Sequence, residues 1–282
     1  MYYLIHYFDP DFSHLKLTPE HFADGTSDLR QLGYVQNVVA GQVLAEVVEL
    51  DKYTGQKRDP RFIYSQKHLP VGPNCQPHSA NPDKIISTVN GYVFYHQGLI
   101  SVKKLLNVRN NVGFHTGNIF FVNDISVHGD VQTGFAVEAA NILVKGHVES
   151  CKIKSHGDVA CLGGVKGSNT SSLQEGQAEI AHSDNYVPSS LIEAKGNIRL
   201  PFCEHAQLRA KGNIVIDGSC LHYTIYAGGS VLIEGRLQGG ALSANGLVVV
   251  EKQLGRAYTV ATPLMMGYPA FDYLKLHKLD NQ

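Results

Sequence analysis

Residues 191–250 read LIEAKGNIRLPFCEHAQLRAKGNIVIDGSCLHYTIYAGGSVLIEGRLQGGALSANGLVVV, and their spacing decides the fold. Ala210, Ala227 and Ala244 recur every 17 residues, as do Gly212, Gly229 and Gly246. The apolar positions keep the same step: Leu208, Ile225 and Leu242; Ile214, Val231 and Val248; Ile216, Ile233 and Val250. Ala194, Gly196 and Ile198 stand one shorter step of 16 earlier. Each unit is apolar-x-Ala-x-Gly-x-apolar-x-apolar, a strand, a tight turn and a second strand at period two. A unit this short cannot bury its apolar face alone, so it must stack on its neighbours. Glycine at the corner supplies positive φ or close backbone approach, and the alanine beside it fits a narrow interior. The pattern predicts a β-solenoid, one rung per 16–17 residues.

The same register extends toward the N-terminus. Ile125, Ile142 and Val159 are 17 apart, as are Val127, Val144 and Cys161, with Gly129, Gly146 and Gly163 at the matching turn. The predicted solenoid runs over 107–264 as about eight rungs. Between Gly163 and Leu191 the register breaks into a polar stretch with an off-phase rung at Ile180, Tyr186 and Val187. Loops that project from a rigid scaffold commonly carry binding residues. Residues 265–282 form a tail whose apolar strip (Met265, Met266, Phe271, Tyr273, Leu274, Leu276) is expected to cap the last rung, since an open rung is an exposed sheet edge.

Residues 1–106 read as a small mixed domain. YLIHYF is strand-like, and Thr18-Pro19-Glu20 predicts a short helix with Pro at its first position. Residues 34–55 are apolar-rich, broken at Gly41, and resemble the first half of a lipoyl or biotinyl barrel-sandwich. Lys52 then falls where such a domain carries its modified lysine, but Tyr53 replaces the usual small residue, and a solvated turn lysine is the better reading. Residues 55–84 predict an extended connector on which Phe62, Ile63, Tyr64 and Leu69 pack. Asn90-Gly91 and Gln97-Gly98 predict hairpin turns.

Composition narrows the function classes. A net charge of −1 over 282 residues provides no basic field for nucleic acid or anionic membrane. No apolar run reaches the roughly 18 residues of a membrane span. The opening MYYLIHYFDPDF is not a signal peptide, and five cysteines without C-x-x-C spacing predict reduced thiols in the cytoplasm.

Two ladders carry chemical potential. Cys203 and Cys220 are one rung apart, as are His205 and His222, and together they supply the ligand types zinc takes. Stacking alone brings such residues together, so packed thiols and imidazoles are preferred over a metal site. Asp217 and Glu234 should stack on adjacent rungs, roughly 5 Å apart, where a carboxylate pair can share a proton. A solvated corner is preferred there too. No Ser-His-Asp set, P-loop or dinucleotide fingerprint is present, so no catalytic residue and no cofactor is expected.

The order of motifs from GYVFY through SVKKLLNV, NNVGFHTGNIFF, DISVHGDVQTGFAVEA, ILVKGHVESCKIK, GGVKG, IEAKGNI, LRAKGNIVI, SVLIEG and RLQGG to TPLMMG resembles the FapA family, flagellar assembly protein A. The resemblance covers 80–267, and more loosely 34–80. It implies a right-handed parallel β-helix after an N-terminal domain. It further implies a cytoplasmic bacterial protein linked to flagellar assembly or placement, without an established enzyme activity and with flagellar or polar proteins as expected partners. The sequence departs from the family pattern in having no long charged helical tail after the solenoid. Related solenoids, such as bactofilins, associate through their faces or ends. With both ends capped, the expected assembly here is a discrete homodimer, the commonest closed form. The alternative to a scaffold is a carbohydrate-active or metal-dependent β-helix enzyme.

Overall fold

The computed structural model describes residues 1–14, 16–17, 19–21, 27–28, 30–55, 58–168, 190–254 and 263–267. Their apolar side chains gather into two clusters, one before Lys103 and one from Leu106 onward.

The second cluster is the interior of a parallel β-solenoid. Its first sheet has eight parallel strands, from Leu105–Val108 through Ile125–Val127 and Ile214–Ile216 to Val248–Val250, and so encloses seven turns. After each such strand the chain turns onto a narrow second wall, where Val112, Val131, Val148, Val165, Cys203, Cys220, Leu237 and Leu254 lie over one another. It then turns again onto a third wall, built of Ala136–Ala139, Lys152–Ser155, Ser190–Ala194 and the strands that follow. The expected register holds: Ala194, Ala210, Ala227 and Ala244 are successive Cα partners. The last three are fully buried.

The corner glycines are required by close approach. Gly229 N donates to Gly212 O at 2.9 Å and Gly246 N to Gly229 O at 2.9 Å, so backbone climbs directly on backbone. A Cβ on Gly229 would press on Asn213 Oδ1 and lie 3.0 Å from the Gly212 carbonyl, so a side chain there forces a neighbour to shift. Beside this column Asn197 Oδ1 accepts from Asn213 N, Asn213 Oδ1 from Ser230 N and Ser230 Oγ from Leu247 N. Each turn therefore satisfies a backbone donor of the next, as buried backbone requires.

The first cluster lies under two antiparallel sheets. One has the order Ile63–Tyr64, Tyr2–His6, Val43–Glu49, Lys84–Ser87, Cys75–Pro77; the other Leu99–Lys103, Gly91–His96, Asn37–Val38. Leu4, Leu44, Ile85 and Ile100 are their buried centre. Gln97 and Gly98, with φ of 50° and 79°, make the predicted tight turn between Gly91–His96 and Leu99–Lys103.

Three local expectations are corrected. Glu20–His21 is a strand paired with Ser27–Asp28, not the start of a helix (Thr18 lies outside the described residues). A lone helix of a few residues is marginal, and strand pairing supplies the backbone bonds instead. Asn90-Gly91 makes no hairpin, because the strands on either side belong to different sheets. Gly91 is needed there because a side chain would meet the Lys103 carbonyl. The connector contains two paired strands, since Ile63–Tyr64 and Cys75–Pro77 each add to the five-stranded antiparallel sheet.

The N-terminal end of the third wall is closed by the preceding domain. Asn118 N donates to Arg30 O at 2.6 Å, and Asn37 brackets the edge strand by donating to Phe120 O and accepting from Val122 N. At the other end Leu264–Met266 joins the third wall as a further strand beside Leu242–Ala244. The apolar residues Phe271, Tyr273, Leu274 and Leu276 of the expected cap lie outside the described residues, as do Ile180, Tyr186 and Val187.

Candidate functional site

The cysteine–histidine ladder sits where the second wall turns into the third. Cys203 and Cys220 are register partners inside the wall, with Cα atoms 4.8 Å apart, and are joined as a disulfide. The expectation of five reduced thiols is corrected for this pair; Cys75, Cys151 and Cys161 are free. Parallel in-register stacking accounts for the meeting, since identical positions of adjacent strands are separated by one strand spacing. Burial pushes the Cys161 thiol up to about 12 and the Cys75 thiol up to about 11, which holds both protonated.

His205 and His222 do not join the sulfurs. Both have positive φ, 49° and 50°, so the period-two rule that would place them beside the cysteines fails at this corner. Burial along Cys203–Ala210 runs buried, half-buried, half-buried, buried, and the rings lie outside, stacked at 4.7 Å with planes 7° apart. Among the described residues no group of three or more histidine, cysteine or carboxylate side chains converges as a metal cluster. The structure thus assembles two pairs, one on each side of the wall.

The carboxylates Asp217 and Glu234 directly follow the register partners Ile216 and Ile233 on adjacent turns. Asp217 is engaged by Arg199 of the preceding turn at 3.1 Å, not by Glu234. On the third wall Glu138 takes Lys154 at 2.7 Å, and Glu193 takes Arg209 at 3.0 Å. Lys154 holds Glu138 below the usual carboxylate range against the opposing effect of burial. Lys52 ends a 3-10 turn, Leu50–Lys52, and pairs with Glu49 at 2.9 Å, both side chains exposed. This is the solvated lysine the sequence favours.

What sequence reasoning misses is a groove of about 1260 Å³ at the first rung. One side is residues of the 12–34 segment, including His14, Leu32 and Tyr34; the other is Asn107–Thr116 with Gln132. His14 stacks on Tyr34 at 4.6 Å and its Nδ1 lies 2.8 Å from Tyr34 O. Phe114, 75% exposed, meets Phe135 edge-on at 5.1 Å. No local motif announces this site, because its two sides are nearly a hundred residues apart.

Stacked parallel turns, side-chain ladders at the corners and a β-rich N-terminal domain define a parallel β-solenoid protein. The chain belongs to the FapA family: the profile described as Flagellar Assembly Protein A beta solenoid domain matches residues 104–282, more than half of the chain. No curated protein and no solved structure gives a match. Among the described residues no helix is long and apolar enough to cross a membrane.

Proposed function

We propose that this chain is a non-enzymatic cytoplasmic scaffold of flagellar assembly or placement, binding flagellar or polar proteins and acting as a homodimer. The observation that carries the reading is how the ladder charges are used. Glu138, Glu193 and Asp217 are each paired with a cation of a neighbouring turn, so these carboxylates serve the stack rather than a substrate. A β-helix hydrolase needs two carboxylates free to act across one bond. The family name adds the flagellar context.

The first sheet supplies the surface for self-association. Its outward file runs Asn107, Ser126, Leu143, Ala160, Arg199, Val215, Leu232 and Val249, with apolar residues on either side of the charge of Arg199. Apolar side chains on a flat sheet face are a usual mark of an interface. Two copies related by a two-fold axis bury it against itself.

Co-purification from the native host, with identification of what accompanies the chain, tests the scaffold. A flagellar or polar protein supports it, and a bound oligosaccharide contradicts it. Light scattering at tens of micromolar tests the dimer. A monomer, or fibres that lengthen with concentration, contradicts it.

A further inference from the structure

We infer that the first-rung groove is a docking site for an extended acidic peptide segment of a partner protein, an inference that rests on reading the chain as a protein-binding scaffold. The first observation is an open sheet edge. Among the described residues Leu105–Val108 pairs on one side only, with Asp124–Val127, and Val112 bridges only to Val131. His128 N donates to Val108 O, and Val112 N donates to Asp130 O, so these residues turn their backbone groups toward the second rung. Along an extended strand successive residues turn theirs to opposite edges. Asn107 therefore presents its N–H and C=O away from the stack, toward the groove it lines. An unpaired edge beside a groove is the setting in which an added peptide strand gains main-chain bonds.

The second observation is charge. Among the described residues the groove is lined by Arg109, His14 and His115, and by no aspartate or glutamate, in a chain whose acidic and basic residues are nearly equal in number. Arg109 is exposed and, among the described residues, has no carboxylate partner. A guanidinium fork donates two parallel N–H···O bonds to a carboxylate. Asn107, Asn110 and Gln132 add side-chain amides, which match the donor–acceptor pattern of a peptide backbone.

The third is an anchor. Phe114 stands 75% exposed on a firm edge contact with Phe135, an aromatic face already positioned for a partner's apolar side chain. The groove, at about 1260 Å³, also exceeds the roughly 300–1,000 Å³ of small-molecule pockets. Together these features describe a strand with an acidic residue over Arg109 and an apolar residue over Phe114.

The test is selection of a displayed library of random twelve-residue peptides on the full-length protein, followed by affinity measurement of the selected peptides. The inference expects acidic sequences with an apolar residue, bound at least about tenfold more weakly by Arg109→Glu, and retained within about threefold by Arg109→Lys. Phe114→Ser, at an exposed position, should weaken binding while leaving thermal stability unchanged. Selection of neutral or basic sequences, or binding indifferent to both Arg109→Glu and Phe114→Ser, overturns the inference. Displacement of the selected peptide by a single-stranded oligonucleotide at equal concentration also overturns it, since the groove would then recognise polyanions in general. Co-purification of a partner whose binding survives Arg109→Glu and Phe114→Ser removes the groove and leaves the scaffold standing.

Discussion

His205 and His222 stack ring on ring at 4.7 Å while both hold left-handed backbone, φ 49° and 50°. They stand in the column continued by Gly239, φ 66°, one step of 17 further on. Left-handed conformation costs a non-glycine residue roughly 1–2 kcal/mol, and here the corner imposes it on two histidines. His222→Gly is therefore expected to leave stability unchanged or raise it by up to about 1 kcal/mol. His222→Val should lower it by about 2 kcal/mol or more, because branching at Cβ aggravates the strain. Denaturant unfolding of the two variants checks this, and a destabilising glycine would show that ring stacking outweighs the backbone.

That column also shows what the sequence held and what it hid. Most inward positions of the first and third walls repeat at 16 or 17, so Ile214, Val231 and Val248 read out the stack directly. The second wall contributes one inward residue per turn, such as Val131, Val148 or Val165, and a single residue has no period of its own within the turn. The flip of His205 and His222 was signalled only by Gly239, the glycine that the same step reaches. Without it, counting two residues along a strand placed imidazoles beside thiols that face the other way. The groove was hidden for a different reason: Arg109 and His14 meet only through tertiary structure.

The sulfur pair gives a second prediction. Denatured protein prepared without reductant should show three reactive thiols, Cys75, Cys151 and Cys161, and five after reduction. Peptide mapping should then find Cys203 linked to Cys220. Five thiols before reduction would show that the pair is stacked without being bonded.

A third concerns acid. His6 packs among Phe8, Phe62 and Tyr95, its Nε2 has no hydrogen-bond partner among the described residues, and burial drives its pKa from 6.5 down to about 4. Asp59 and Asp11 oppose that shift and Arg61 adds to it. Between those two pH values the unfolded chain binds the proton and the folded chain does not, so stability rises with pH through the window. It is complete above pH 6.5 and is lost as pH falls toward 4. Because the ring is only partly buried, the loss is about 1–2 kcal/mol after allowance for solvent screening. Unfolding curves of the parent and of His6→Phe at pH 7 and pH 4.5 check it. The parent should lose more stability than the variant, and equal losses would place the acid sensitivity elsewhere.

The central claim is that turns of 16–17 residues stack in register around narrow interior files. Ala227, fully buried between Ala210 and Ala244, is the most direct probe of it. Thermal unfolding of Ala227→Leu should show a loss of about 1–3 kcal/mol from overpacking. Lys152→Leu, outward on the same wall, should change stability by less than about 0.5 kcal/mol. Equal shifts for the two variants would contradict the register and, with it, the solenoid.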